Sequence, residues 1–309
     1  MICHDYISYK ISQTINTGNI IPIKTKDGST SFYNTYFNES YHSLNGAKKE
    51  SLEKFILPAE IDRFKNKDKV FILDLCFGLG YNTACLLENI KNQSTKLEII
   101  GLEIDKRPLR LALGDDNFKR IWSSETNKIF QSISLKNNWE DLETKGKIIW
   151  GDARHSLKLI PESIQFDLIF HDAFSPMKCP QLWSEEFLQN LINKLSSKGR
   201  LITYSSSAAV RESLRRKGLN IFSIKPKDKD SHLWSIGTIG VKDKINCDSK
   251  NNIFSPLSGM EKEHLLTKAS IPFRDPSSNS TKEDILTRRL KEQEKSSLAS
   301  TTLWRKRWA

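Results

Sequence analysis

Short apolar runs alternate with amphipathic stretches through the middle of the chain. Val70-Phe71-Ile72-Leu73-Asp74-Leu75 is nearly continuous in apolar residues, as expected of a strand buried on both faces. Leu97 to Glu103, Ile148-Ile149-Trp150, Phe166 to His171 and Leu201-Ile202-Thr203-Tyr204 repeat the pattern. Helical periodicity fills the gaps. Tyr81 to Ile90 follows the first strand. Ser184 is a good N-cap, with Glu185 and Glu186 in the first turn and Phe187, Leu188, Leu191, Ile192 and Leu195 on one face. Gly199 is the expected stop. Strands alternating with helices predict a parallel sheet covered on both sides. Leu219 to Ile224 and Leu233 to Ile239 are joined only by the polar loop Lys225 to Ser231, so this last pair is expected to be antiparallel.

The flanks differ. Ile20-Ile21-Pro22-Ile23 and Ser31-Phe32-Tyr33 bracket Lys26-Asp27-Gly28, a hairpin signal because the Asp-Gly turn needs positive φ. Glu39 to Lys54 reads as helical. After Gly240 the chain is polar; Ser280-Thr281-Lys282-Glu283 fits a capping box opening a helix with Leu286 and Leu290 on one face. The tail Trp304-Arg305-Lys306-Arg307-Trp308 places cations between aromatics. That pattern suits nucleic acid, but a docked or frayed terminus is the more ordinary reading. Three regions result: an N-terminal extension over 1–66, an α/β domain over 67–240 and a partly helical extension over 241–309.

Composition narrows the class. Of 309 residues, 38% are hydrophobic and 28% charged, a soluble profile. No apolar run approaches the roughly 20 residues needed to cross a bilayer. Met1 to Asp5 lacks a signal-peptide pattern. A cytoplasmic protein with no membrane contact is expected. Cys3, Cys76, Cys85, Cys179 and Cys247 are widely spaced without a CxxC pair, so neither a disulfide framework nor a metal site is expected. The net charge of +11 favours a polyanionic partner, with simple solubility an equal alternative.

The candidate chemistry sits at the strand ends. The first strand runs into Asp74-Leu75-Cys76-Phe77-Gly78-Leu79-Gly80-Tyr81-Asn82. Its two glycines let backbone approach a ligand. A dinucleotide turn would carry a third glycine at Thr83, so S-adenosyl-L-methionine is favoured over NAD. Glu103, about 20 residues on, suits a pair of ribose hydroxyls. Asp152, followed by Ala153, can accept from an adenine amine. The fourth strand ends His171-Asp172-Ala173-Phe174-Ser175-Pro176. There Asp172 can orient an amine and Phe174 offers an aromatic face; His171 is expected to be a packing residue. Asp74, Phe77, Gly78, Gly80, Asn82, Glu103, Asp152, Ala153 and Asp172 are the cofactor candidates, and Asp172 with Phe174 the catalytic ones.

Four stretches in order carry a resemblance. They are Asp27-Gly28 with Tyr33, leading to Tyr41-His42-Ser43-Leu44-Asn45-Gly46-Ala47 and Glu50-Ser51; Phe77 to Asn82; Asp172 to Pro176 with Lys178, Pro180 and Trp183; and Thr203-Tyr204-Ser205 with Val210-Arg211. Together they make the chain similar to the methyltransferase domain of bifunctional tRNA 5-methylaminomethyl-2-thiouridine biosynthesis proteins (MnmC type). By analogy the fold is then a doubly wound, mostly parallel seven-stranded sheet with a C-terminal antiparallel hairpin, the class I methyltransferase arrangement. The resemblance implies N-methylation of 5-aminomethyl-(2-thio)uridine at the tRNA wobble position, with tRNA as partner. It implies that Asp172 positions the amine and helps remove its proton, that Phe174 packs the base, and that Tyr41, Ser43 and Gly46 close the cofactor site. The family pattern usually has threonine at Leu79, glutamate at Asp74, glycine at Ala173 and a more basic stretch at 225–230. The flavin-dependent oxidase domain of that family is not expected here, hence no flavin. The alternatives are a methyltransferase or aminopropyltransferase-like enzyme acting on another amine, and a non-catalytic RNA-binding module.

Overall fold

The computed structural model describes residues 18–90, 95–227, 234–243, 245 and 253–308. The expectations for the extreme N-terminus, for Cys3 and Cys247, and for the loop at 228–233 lie outside these residues.

Two sheets form. β1 (Ile20–Lys24), β2 (Thr30–Asn34) and β3 (Glu39–Ser40) make a small antiparallel sheet. Its first turn uses Gly28 at φ 75°, as the Asp-Gly pair predicts. The large sheet contains β4 (Lys69–Leu75), β5 (Lys96–Glu103), β6 (Asn138–Glu140), β7 (Thr144–Trp150), β8 (Phe166–His171), β9 (Leu195–Thr203), β10 (Asn220–Ile224), β11 (Gly237–Val241) and β12 (Phe254–Pro256). Their order is β12-β10-β11-β9-β8-β4-β5-β7-β6. β7, β5, β4, β8 and β9 run parallel, and β11 pairs antiparallel with both β9 and β10. This is the class I methyltransferase arrangement. The seven expected strands are all present. Two short strands, β6 and β12, extend the edges, and neither has an apolar run long enough to announce itself.

Strand alternation builds two cores. Ile72, Ile99, Ile148, Leu168 and Ile202 face one side, among helix Tyr81–Asn89 and the 124–136 helix. Leu73, Leu75, Ile100, Ile169 and Leu201 face the other, among helices Glu185–Lys194, Ala208–Arg216 and Lys282–Lys295. Successive side chains of one strand point to opposite faces, so β4, β5 and β8 are apolar on both.

Four local expectations are corrected. Glu39–Lys54 is not one helix: Glu39–Ser40 is a strand, the helix begins at Ala47, and Leu52–Ile56 is a π-helical turn. Gly46, at φ 130°, breaks the run. Helix Glu185–Lys194 is capped by Ser184 as expected, but it ends before Leu195. Gly199 lies inside β9, where a Cβ would press on the Phe166 carbonyl at 2.7 Å. The capping box opening the 282–295 helix is Thr281 with Asp284, one residue later than predicted. That shift buries Ile285 and leaves Leu290 57% exposed.

The C-terminal stretch is not a loose appendage. β12 pairs with β10. The Phe273 carbonyl accepts from Glu185 N at 2.9 Å. Arg274 pairs with Glu185 and Glu186 at 2.7 and 2.9 Å. The segment thus runs past the starts of the helices that follow the parallel strands. Among the described residues no helix is long and apolar enough to cross a membrane.

Candidate active site

The carboxyl ends of β4, β5, β7 and β8 open on one cavity of about 860 Å³. Open α/β sheets bind ligands at this edge, and the volume suits a nucleoside-sized molecule with room beyond it. Three walls come from different parts of the chain. The strand ends give Cys76, Glu103, Asp152, Ala153, Asp172 and Phe174. The N-terminal sheet and following turn give Phe37, Tyr41, Ser43 and Glu50, and the C-terminal stretch gives residues 279–283.

β5 ends in Glu103, whose Oε1 accepts from Ile104 N at 2.7 Å and Asp105 N at 2.8 Å while Oε2 accepts from Gly78 N at 2.8 Å. A carboxylate has about four acceptor sites. Three are filled from behind by backbone, which leaves capacity toward the cavity that Glu103 lines. Burial pushes this carboxyl up to about 7, against the pull of those N–H groups. Gly78, at φ 55°, brings its backbone beneath the Tyr41 ring; a Cβ there would stand 3.5 Å from that ring.

Two residues past β7, Asp152 caps the following short helix by accepting from Arg154 N at 2.9 Å. The Arg154 guanidinium also pairs with it at 2.6 Å and reaches Asp275 at 2.9 Å and the Ser280 carbonyl at 3.0 Å. A cavity carboxylate is therefore tied to the C-terminal stretch through one arginine. Sequence reading missed Arg154, because nothing in its neighbourhood marks a partner over a hundred positions away.

Asp172 follows directly on β8. Its Oδ2 accepts from Asn82 Nδ2 at 2.9 Å. Burial, with the charges of Glu50 and Asp74, pushes its carboxyl up to about 7. The loop behind it is fixed at several points. Trp183 Nε1 donates to the Phe174 carbonyl at 2.7 Å, and Tyr204 OH to the Ala173 carbonyl at 2.8 Å. Glu39 of β3 accepts from both Ser175 N and Ser175 Oγ at 2.9 Å. Phe37 stacks on Phe174 at 4.5 Å, and Tyr41 lies 5.0 Å from it. Phe174 is thus clasped by the N-terminal sheet on one face. His171 is fully buried, its ring 4.0 Å from Trp183, in keeping with a packing residue.

Glu50 and Lys54 line the cavity beside Asp172. Glu50 accepts from Ser43 N at 2.7 Å and pairs with Lys54. Lys54 Nζ lies 5.5 Å from the centre of the Tyr204 ring. It is presented by the π-helical turn, a distortion common at functional sites. The signal for Lys54 was absent because its segment reads as ordinary helix.

Tyr41, Ser43, Glu103, Asp152, Ala153, Asp172 and Phe174 line the cavity together. Six other candidates stand behind that wall. Gly78 and Asn82 hold Glu103 and Asp172. Asp74 is fully buried and accepts from Thr83 Oγ1 at 2.6 Å. Phe77 packs in the core, and a Cβ at Gly80 would meet its ring at 2.8 Å. Gly46 faces Asp27, whose carboxylate a Cβ there would overlap.

The arrangement offers a buried carboxylate with spare acceptor capacity after β5, a half-buried one held by Arg154 after β7, and a half-buried one facing aromatic walls after β8. That donor and acceptor set, in a cavity of this size, fits S-adenosyl-L-methionine with space left for an acceptor. Comparison with known proteins agrees. Residues 116–233 match the family described as S-adenosyl-L-methionine-dependent methyltransferase. An uncharacterised protein of Methanocaldococcus jannaschii is 30% identical over 88% of this chain and 72% of its own length. The tRNA 5-methylaminomethyl-2-thiouridine biosynthesis bifunctional protein MnmC of Campylobacter hominis is 27% identical over 60% of this chain. The matched part spans only 28% of that bifunctional protein. The crystal structure of MnmC2 from Aquifex aeolicus superposes with a TM-score of 0.75 and 29% identity, covering 90% of this chain and 86% of that one.

Proposed function

We propose that this chain, which belongs to the MnmC-related family of S-adenosyl-L-methionine-dependent methyltransferases, methylates the amine of 5-aminomethyl-(2-thio)uridine at the wobble position of tRNA. The observation that carries the reading is the Asp172 carboxylate. It opens on the cavity beside Glu50 and the Phe174 loop, a setting that attracts a primary amine. The net charge of +11 suits a nucleic-acid substrate. A cytoplasmic site of action follows from that substrate.

When bound, S-adenosyl-L-methionine supplies an electrophilic methyl group. Glu103 would hold the ribose hydroxyls, Asp152 and Ala153 the adenine, and Tyr41 and Ser43 would close over the site. Asp172 accepts hydrogen bonds from the substrate ammonium and aims its nitrogen. An alkyl amine has a free lone pair only after losing a proton, and a lysine-type amine holds its proton to a pKa of about 10.4. An ordinary aspartate falls short of that by about six units. Burial narrows that gap by raising Asp172, but a bound ammonium favours the carboxylate and widens it again, so Asp172 chiefly aims the amine and takes its proton only against the difference that remains. Asn82 keeps one carboxylate oxygen in place while the other meets the amine.

The test is methyl transfer from labelled S-adenosyl-L-methionine to tRNA carrying 5-aminomethyluridine, followed by nucleoside mass spectrometry. Label in 5-methylaminomethyluridine is the expected result. Unlabelled tRNA, with cofactor binding established by calorimetry, overturns the wobble-uridine substrate and directs the search to other amines. Methylthioadenosine as product would instead identify aminopropyl transfer.

A further inference from the structure

A chain of contacts leads from the cavity wall to an aromatic rim. Tyr204 lines the cavity, and the carbonyl of the next residue, Ser205, accepts from Thr238 Oγ1 at 2.6 Å. Thr238 Oγ1 accepts from Arg211 Nε at 2.8 Å. Arg211 is buried, pairs with Glu261 at 2.8 Å, and lays its guanidinium 5.2 Å from the centre of the Trp234 ring. Trp234 meets His264 edge-on at 6.4 Å, and His264 stacks on Trp304 at 4.0 Å and 13°.

Trp304 also donates through Nε1 to the Met260 carbonyl at 3.0 Å. The C-terminal helix Thr301–Trp308 is thereby docked beside the helix Gly259–His264. Docking centres on the first tryptophan of the tail and leaves Arg305 and Lys306 outward. Arg305, Lys306 and Arg307 are exposed. Trp234 and Trp308 keep 39% and 46% of their surface in water. Arg307 and Trp308 both reach Glu263, which steadies the helix end. The patch lies on the same edge of the sheet as the cavity, since Gly237 at the start of β11 and Ile224 at the end of β10 pair beside Thr203 of β9.

We propose that this rim is a ledge for single-stranded RNA, with bases stacking on Trp234 and Trp308 and phosphates meeting Arg305, Lys306 and Arg307. The proposal rests on the RNA substrate proposed above. Charge complementarity argues for it, as does the shared sheet edge, and the buried Ser205–Thr238–Arg211 contacts tie the ledge to the cavity wall from inside. Aromatic faces interleaved with cations grip unpaired nucleotides without reading their sequence. A ledge on the same sheet edge would hold a stretch of strand away from the nucleotide whose amine enters the cavity. It also gives the 241–309 stretch a task that the strand-end carboxylates do not perform.

The test compares wild type with the triple variant Arg305→Ala/Lys306→Ala/Arg307→Ala, using labelled tRNA transcript in fluorescence anisotropy over a range of salt. Each phosphate contact to a single strand contributes about 0.7 to the slope of log K against log salt. The triple variant should bind at least about tenfold more weakly near 0.1 M salt, with a slope shallower by about 2. Trp308→Ala should weaken binding by about tenfold through lost stacking. Lys306→Glu touches none of the contacts that dock the helix and guards against an unfolded tail; it should weaken binding as well. Cofactor affinity by calorimetry should be unchanged in all three. Wild type that binds tRNA while every variant matches it within about twofold and with the same slope overturns the ledge alone. Wild type that does not bind tRNA overturns the ledge and the RNA substrate together.

Discussion

Asp172 follows directly on a strand whose six residues are all buried, and is itself half-buried at the cavity wall. Its environment has opposing parts. Burial and the neighbouring carboxylates push the carboxyl up to about 7, while Asn82 and Lys54 pull the other way. Only the ionised form accepts a proton, so turnover should rise with pH as Asp172 ionises. The inflection in the loaded enzyme should lie at about 7 or below, because bound positive charge favours the carboxylate. Asp172→Ala should reduce turnover by at least about a hundredfold. It should abolish the rising limb of a single-turnover pH profile and leave cofactor affinity in calorimetry largely intact. Loss of cofactor binding would refute that division of roles. Asp172, Glu103 and Asp152 were legible in the sequence because each follows a buried apolar run, and a strand end places its next side chain at the sheet edge. Asp74, Phe77, Gly78, Gly80, Asn82 and Gly46 read as cofactor residues too, but they stand behind the cavity wall. A glycine turn reads identically whether its glycines face a ligand or, as with Gly80, the Phe77 and Phe130 rings.

Among the elements, the small N-terminal sheet works through contacts that alternation cannot reveal. β3 has only Glu39 and Ser40, too short for a period. Its position is set by the Glu39 carboxylate, which takes two hydrogen bonds from Ser175 in the loop after β8. The same dipeptide reads as the start of a helix when seen alone, because Glu39 to Lys54 is rich in polar residues and only Gly46 interrupts it. Hydrogen bonds to a charged group contribute about 1.5–3 kcal/mol each. Part of Glu39 is solvated, so the lower end applies. With two such bonds lost, Glu39→Ala should destabilise the protein by about 3 kcal/mol in denaturant titration. It should also free the Phe37–Phe174 stack and lower kcat more than stability alone explains, since a displacement of about 1 Å near a reacting group can cost about a hundredfold. Glu39→Gln keeps an oxygen acceptor and should recover most of both. Equal losses in the two variants would mean that the hairpin is held by its ring contacts instead.

At the scale of the whole molecule, the sheet was readable and the C-terminal wrap was not, for one physical reason. The sheet is apolar on both faces, and periodicity records that. The stretch from Phe254 to the 282–295 helix buries single, widely spaced apolar residues such as Phe254, Phe273 and Ile285, and is further held by ion pairs and main-chain hydrogen bonds to distant residues, neither of which leaves a local pattern. Its firmest tie is Arg154, bridging Asp152 in the cavity to Asp275, a carboxylate only 1% exposed. Asp275 also accepts from Ser280 N at 3.0 Å, so it sets the turn that brings residues 279–283 to the cavity wall. Removing one partner of a buried pair leaves the other charge uncompensated, at a cost of about 3–5 kcal/mol. Here Arg154 keeps Asp152, and the loss should fall at the lower end. Asp275→Ala should therefore lower stability by about 3 kcal/mol and loosen the 279–283 wall without altering any strand-end carboxylate. Cofactor affinity, measured by calorimetry at a temperature where the variant is fully folded, should fall by about tenfold or more, with the stoichiometry unchanged. A destabilised variant that binds cofactor as tightly as wild type would show that the C-terminal stretch braces the fold from outside and takes no part in closing the site.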